Sequence, residues 1–113
     1  ELHLERNEIS DAGAKAIAGS ANFSYLNFIN LWKNKVGAEG AKAIASSTIL
    51  VNLKSLDLAQ NNIGDEGAKA LAESNTLAGL ELLEIFGSGL TDEGKKQLKE
   101  STAFPKLQTL VVE

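Results

Sequence analysis

The chain has 113 residues, a formal net charge of −4, a single arginine and no cysteine. With 43% hydrophobic residues and only 5% aromatic ones, it suits one small domain with an aliphatic core. The acidic balance argues against duplex nucleic acid as a partner, the missing cysteine excludes disulfides, thiolate zinc and a cysteine nucleophile, and no apolar run approaches the ~20 residues of a membrane span.

In chain order, Leu2 and Leu4 alternate with Glu1, His3 and Glu5. That period of two predicts a strand with one face in the core. Asn7 and Ile9 follow in a loop. From Ser10 onward an acid, Asp11, precedes Ala14, Ile17 and Ala18 at helical spacing. This predicts a helix with Ser10 as N-cap and Asp11 complementing the positive end of its own dipole.

The same order recurs at a shift of 27 residues without a gap. Strand positions Ile29 and Leu31 lead through Asn34 to a helix starting at Gly37, with Glu39 in its first turn. Residues 53–58 lead through Asn61 to a helix starting at Gly64, with Asp65 and Glu66. Leu83 and Ile85 lead through Ser88 to a helix starting at Thr91, with Asp92 and Glu93. A fifth unit begins at Leu107 and ends after its strand, around Leu110 and Val112. Vertical columns hold throughout, including Gly13, Gly40, Gly67 and Gly94, and Ser20, Ser47, Ser74 and Ser101. The glycine column predicts close backbone approach of the helix layer.

Self-similarity this strict predicts an α/β repeat solenoid, with a parallel sheet on a concave face and helices on the convex face. The repeats run over about 1–25, 26–52, 53–79 and 80–106, with a cap strand at 107–113. Lys15, Lys42, Lys69 and Lys96 form a column that reads as a solvated helix face. Asp11, Asp65 and Asp92 stand four residues before three of those lysines, the favourable order for ion pairs along a helix.

The two ends differ. In the fourth repeat the small residues of the third helix become Lys95, Gln97 and Lys99, and Phe104-Pro105 leads into the last strand. This reads as a terminal cap. At the other end Leu2, Leu4, Ile9 and Ile17 would present a raw core edge. The expectation is that further repeats precede this edge, with self-association through it as the alternative.

The run Leu53-x-x-Leu56-x-Leu58-x-x-Asn61-x-Ile63, followed by residues 64–72, resembles the ribonuclease-inhibitor-like subclass of leucine-rich repeats. The resemblance covers essentially the whole chain. It implies that Asn7, Asn34 and Asn61 form a ladder of side-chain amides bonded to loop backbone. It also implies that Ser88 interrupts that ladder, its side chain being too short to span the same distance.

In a fold of this kind the outward strand positions are where the repeats differ from one another. They form three columns: Glu1, Phe28, Ser55, Leu82, Thr109; His3, Asn30, Asp57, Glu84, Val111; and Glu5, Trp32, Ala59, Phe86, Glu113. Phe28, Trp32, Leu82 and Phe86 are expected to be exposed. Trp32 and Phe86 would wall a shallow groove ~10 Å wide, two strand spacings, with Ala59 as its floor. Phe28, Asn30, Trp32, Ser55, Asp57, Ala59, Leu82, Glu84 and Phe86 are thus the candidate partner-binding residues. Asp57 and Glu84 suit a partner with a basic or mixed rim.

Catalytic signals are weak. His3 is the lone histidine, and one imidazole with scattered carboxylates makes a poor metal signature. Asp57 and Glu84 on adjacent strands would need a cleft that excludes water. The expectation is a non-enzymatic protein-binding module without metal or cofactor, acting inside a cell, as a fragment of a bacterial effector or sensor would. The alternatives are a GTPase-activating module similar to Ran GTPase-activating proteins, or a structural spacer. Asn22-Phe23-Ser24 also matches the short sequon for N-glycosylation.

Overall fold

The computed structural model describes residues 1–113. Five short strands alternate with four helices: β1 (Leu2–His3), α1 (Asp11–Gly19), β2 (Phe28–Asn30), α2 (Ala38–Ala45), β3 (Ser55–Asp57), α3 (Gly64–Ala72), β4 (Leu82–Glu84), α4 (Asp92–Lys99) and β5 (Thr109–Val111). A single 3-10 turn, Ala21–Phe23, follows α1. The strands form one parallel sheet in the order β1-β2-β3-β4-β5. Its register is the repeat itself: Leu2 lies beside Ile29, Ile29 beside Leu56, Leu56 beside Leu83, and Leu83 beside Leu110.

Each strand is only two or three residues long, yet the backbone ladder continues past it. Leu31 N–H donates to Asp57 O at 2.9 Å, Leu58 N–H to Glu84 O at 2.8 Å, and Ile85 N–H to Val111 O at 2.8 Å. The inward aliphatics Ile29, Leu31, Leu56, Leu58 and Leu83 are completely buried. They meet Ile44, Leu71, Leu50 and Leu77 from the helices and descending segments in one continuous core. Burying each such side chain contributes roughly 1.5–3 kcal/mol relative to leaving it in water. Ile17 is buried too, whereas Leu2, Leu4 and Ile9 are half-buried, so the expected raw edge at β1 is narrower than the sequence implied.

Side chains of one repeat bind the backbone of its neighbour in three places. The Asn34 amide donates to Leu4 O (2.8 Å) and Leu31 O (3.1 Å), and its Oδ1 accepts the N–H groups of Asn7 (3.1 Å) and Ile9 (3.0 Å). Asn61 repeats this with Leu31 O, Leu58 O and the N–H of Val36. Ser88 does not interrupt the series. It is buried, donates to Leu58 O at 2.6 Å and accepts from Asn61 N–H at 3.1 Å. A hydroxyl, being both donor and acceptor, replaces the amide where the backbone comes close enough.

The second set lies at the far end of each helix. Ser47, Ser74 and Ser101 donate, each at 2.6 Å, to the carbonyls of Ala18, Ala45 and Ala72 in the preceding repeat. Their oxygens also accept N–H groups of the next turn, such as Leu50 and Leu77. Orphan carbonyls at the helix ends are satisfied in this way.

The third set corrects the capping expectation. No N-cap side chain bonds its own helix. Instead the Asp11 carboxylate accepts N–H groups of Gly37 (2.6 Å) and Gly40 (3.0 Å), at the start of the next helix. Asp65 likewise accepts the Thr91 N–H (2.9 Å) and bonds the Thr91 hydroxyl, and these bonds with Thr91 hold its carboxyl below the usual carboxylate range. With Asp11 and Asp65 so engaged, the expected pairs with Lys15 and Lys69 do not form, nor does Asp92 pair with Lys96. The ion pairs on the helix face join Lys42 to Glu39 (3.7 Å) and to Glu66 of the next repeat (3.9 Å). At the C-terminal end Lys95 and Lys99 both approach Glu113 at 3.9 Å.

The glycine column is explained by crowding. A Cβ on Gly67 would stand 2.7 Å from Ile63 Cβ and 3.2 Å from Ala41 Cβ. The close approach is therefore to the incoming loop and the preceding helix, not to the strand layer. A different position carries left-handed backbone: Arg6, Lys33, Gln60 and Gly87 follow one another at the repeat spacing, with φ of 57°, 59°, 55° and 66°.

Candidate partner-binding face

The outward positions of β2, β3 and β4 lie side by side: Phe28, Ser55 and Leu82 in one row, and Asn30, Asp57 and Glu84 in the next. One step beyond the strands, Trp32, Ala59 and Phe86 make the third. The fold thus brings all nine candidate residues onto one face. It does not expose the apolar ones as expected. Phe28, Trp32, Leu82 and Phe86 are each half-buried, and Ala59 is fully buried. Parallel strands ~4.8 Å apart let large side chains lean on their neighbours. The His3 ring rests 4.8 Å from that of Phe28, centroid to centroid. The Arg6 guanidinium lies 5.1 Å from the centre of the Trp32 ring and the Lys33 ammonium 6.0 Å from it. Cations held over an indole face in this way are attracted by its quadrupole. None of the four large apolar residues belongs to the buried core.

Two polar members of the middle row brace the backbone. Asn30 Oδ1 accepts the Trp32 N–H at 2.9 Å, and Asp57 Oδ1 accepts the Ala59 N–H at 2.9 Å. These short-range bonds turn the chain out of the strand and fix where Trp32 and Ala59 begin. Burial, and then the neighbouring Glu84 carboxyl and the charge of Glu5, push the Asp57 carboxyl up to about 7, against the pull of the Ala59 N–H. At the edge strand, His3 bonds Glu1 at 3.0 Å and stands 3.4 Å from Glu5. The bond to Glu1 raises the imidazole above its ordinary value.

The surface depressions lie elsewhere. The largest, about 390 Å³, is lined by Lys42, Ser46, Glu73 and Asn75 at the ends of α2 and α3. None includes Trp32, Asp57, Glu84 or Phe86, so the carboxylate pair sits on an open face without a cleft around it. The most exposed large apolar side chains are Tyr25 (72%) and Val51 (49%) on the segments that descend from helix to strand. Sequence reasoning passed over both, because neither stands at a strand or helix period. It also passed over the serine ladder, whose column was visible but whose partners lie in the preceding repeat.

Strand, loop and helix in strict succession, with each helix packed on the next and an all-parallel sheet in repeat register, define a repeat solenoid of the leucine-rich class. The leucine-rich repeat model matches residues 1–18, 24–45 and 50–72, more than half the chain, and the protein belongs to the leucine-rich repeat family. The match stops before the fourth unit, where Ser88, Lys95 and Lys99 depart from the earlier copies. Comparison with curated proteins gave no match. Repeats of this family serve generally as protein-interaction modules.

Proposed function

We propose that the chain docks a protein partner on the sheet face, through Phe28, Trp32, Leu82 and Phe86 and the polar residues between them. The observation that carries this reading is the distribution of sequence change. Asn7, Asn34 and Asn61, the glycine column and the serine column repeat almost without variation, while the outward positions of β2, β3 and β4 differ in every copy. A scaffold held constant beneath a changing surface fits selection of that surface for one partner. Rigid aromatic side chains among polar ones are the composition of a binding centre. The 27-residue unit with a helix in every repeat supports placement in the ribonuclease-inhibitor-like subclass.

A photo-crosslinking amino acid at Ser55 tests the reading, with Lys69 on the helix face as reference. The Ser55 probe should join a protein in cell extract. Excess unlabelled chain should compete for it, and excess chain carrying Trp32→Ala and Phe86→Ala should not. Specific capture from Lys69 alone would move the docking surface to the helices and end the proposal.

A further inference from the structure

The chemistry of the sheet face narrows the kind of partner; this step rests on the docking reading above. None of the outward strand positions holds Lys or Arg, although the chain has 11 of them. Glu1, Glu5, Asp57, Glu84 and Glu113 all stand at such positions. The two cations that touch the face, Arg6 and Lys33, lie over the Trp32 ring and pair with no carboxylate. Asp57 and Glu84, adjacent in register on β3 and β4, are therefore half-buried acids without a counter-ion.

Their surroundings exclude the simpler explanations. A metal site would need a third ligand, and no such group of donors is present. The Ala59 N–H engages one oxygen of Asp57, and the Glu84 carboxyl lies within hydrogen-bonding reach of Asp57 but bonds no backbone group. Around the pair stand Phe28 and Trp32 on one side and Leu82 and Phe86 on the other, with the small Ser55 and Ala59 on the strand between. Acids set among apolar walls favour a cation that brings its own apolar stem.

We propose that Asp57 and Glu84 receive the cationic head of one lysine or arginine side chain of the protein partner, whose flanking apolar groups rest on Phe28, Trp32, Leu82 and Phe86. Asp57 is only partly ionised at neutral pH while alone, since burial pushes it up to about 7. An arriving ammonium or guanidinium favours the charged form of Asp57 and offsets the repulsion between the two acids. A partner carboxylate at the same place would meet two acids, so the face discriminates by charge as well as by shape.

Selection of short random peptides displayed against the whole chain tests this. Enriched peptides should carry a Lys or Arg next to apolar residues. Their affinity should fall about tenfold or more with Asp57→Asn plus Glu84→Gln, and with Trp32→Ala, as for loss of one side of a desolvated charge pair or of an aromatic anchor. Asn30 already fills the Asp57 position in the second repeat and makes the same backbone bond, so the amide variant keeps the fold, and circular dichroism checks it. Peptides that need Trp32 and Phe86 but carry no basic residue, or ignore the amide variants, would overturn the basic-side-chain proposal and leave the docking face standing. Binders indifferent to every one of these substitutions, or no binders at all, would overturn both.

Discussion

The Asp11 carboxylate caps the helix that begins after Gly37, not the one it belongs to, accepting the Gly37 N–H at 2.6 Å and the Gly40 N–H at 3.0 Å. Asp65 does the same for the helix beginning after Thr91. The helix between them receives no such cap, because position 38 is alanine. Its start differs accordingly. Gly64 takes φ +65°, its N–H donates to Ser88 O at 3.1 Å, and the helix is entered from Ile63 in right-handed backbone.

Ala38→Asp should therefore supply the missing cap and draw Gly64 into the extended conformation of Gly37 and Thr91. In the natural background Gly64→Thr should cost about 1–2 kcal/mol, the penalty for a side chain in left-handed backbone. In the Ala38→Asp background most of that penalty should vanish. A double-mutant cycle by urea unfolding measures the coupling. Simple additivity of the two substitutions would mean that the carboxylate does not set the backbone at Gly64.

The amide ladder makes a graded prediction. Asn61 is buried and bonded to Leu31 O, Leu58 O and the Val36 N–H. Asn61→Ala strands the Val36 N–H at a cost of about 1–3 kcal/mol, while Leu31 O keeps the Asn34 amide and Leu58 O the Ser88 hydroxyl. Asn61→Ser should be milder, because the Ser88 hydroxyl reaches the carbonyl equivalent to Leu31 O and the N–H equivalent to that of Asn34. Ser88→Ala should cost less than Asn61→Ala. Equal losses from serine and alanine at position 61 would show that the hydroxyl cannot reach there.

The left-handed column offers a gain. Arg6, Lys33 and Gln60 hold φ of 57°, 59° and 55°, while the fourth repeat places Gly87 there at 66°. Gln60→Gly should stabilise by about 0.5–1 kcal/mol, the relief of left-handed strain less the added freedom of the unfolded chain. Gly87→Ala should be destabilising, since its Cβ would also stand 3.3 Å from Gln60 Cγ. Thermal unfolding of the two variants decides. Opposite signs to these would locate the compensation in side-chain contacts of Gln60.

Trp32 and Leu58 separate surface from core. Leu58 is completely buried, and Leu58→Ala should cost about 2–5 kcal/mol. Trp32 is half-buried beneath Arg6 and Lys33, so Trp32→Ala should cost about 1 kcal/mol of stability while removing most partner binding. A loss at Trp32 matching that at Leu58, read from urea midpoints, would make the indole a core residue.

Repeat length, strand direction, core membership and the identity of the outward face were legible because each depends on a period, and a period survives without coordinates. What escaped was most of the side-chain contact that crosses a repeat boundary. Asp11 beside Ser10 looks like a first-turn acid for its own helix. Only the lateral stacking of helices reveals that Gly37 is nearer. Ser88 looks too short for Asn61's task until the backbone spacing is known. Likewise Phe28 and Trp32 are exposed in a single strand and half-buried once His3 and Arg6 stand beside them.

The Asp57–Glu84 pair gives the folding stability a sign with pH. Asp57 is raised from 3.8 to about 7 in the folded chain, by burial first and then by the neighbouring Glu84 carboxyl. Between those values the folded state binds more protons than the unfolded state, so this pair lowers stability as pH rises through the window. The usual carboxylate, with a depressed value, would do the reverse. Asp57→Asn keeps the Ala59 N–H bond, as Asn30 does for Trp32, and removes the ionisation. At pH 4 the variant and the natural chain should be equally stable. At pH 8 the variant should be more stable by about 1 kcal/mol, after discounting for solvent screening of a partly exposed group. Urea unfolding at pH 4, 6 and 8 follows the divergence. A difference independent of pH would mean that Asp57 ionises freely beside Glu84, and that the pair carries no electrostatic strain for a partner's cation to relieve.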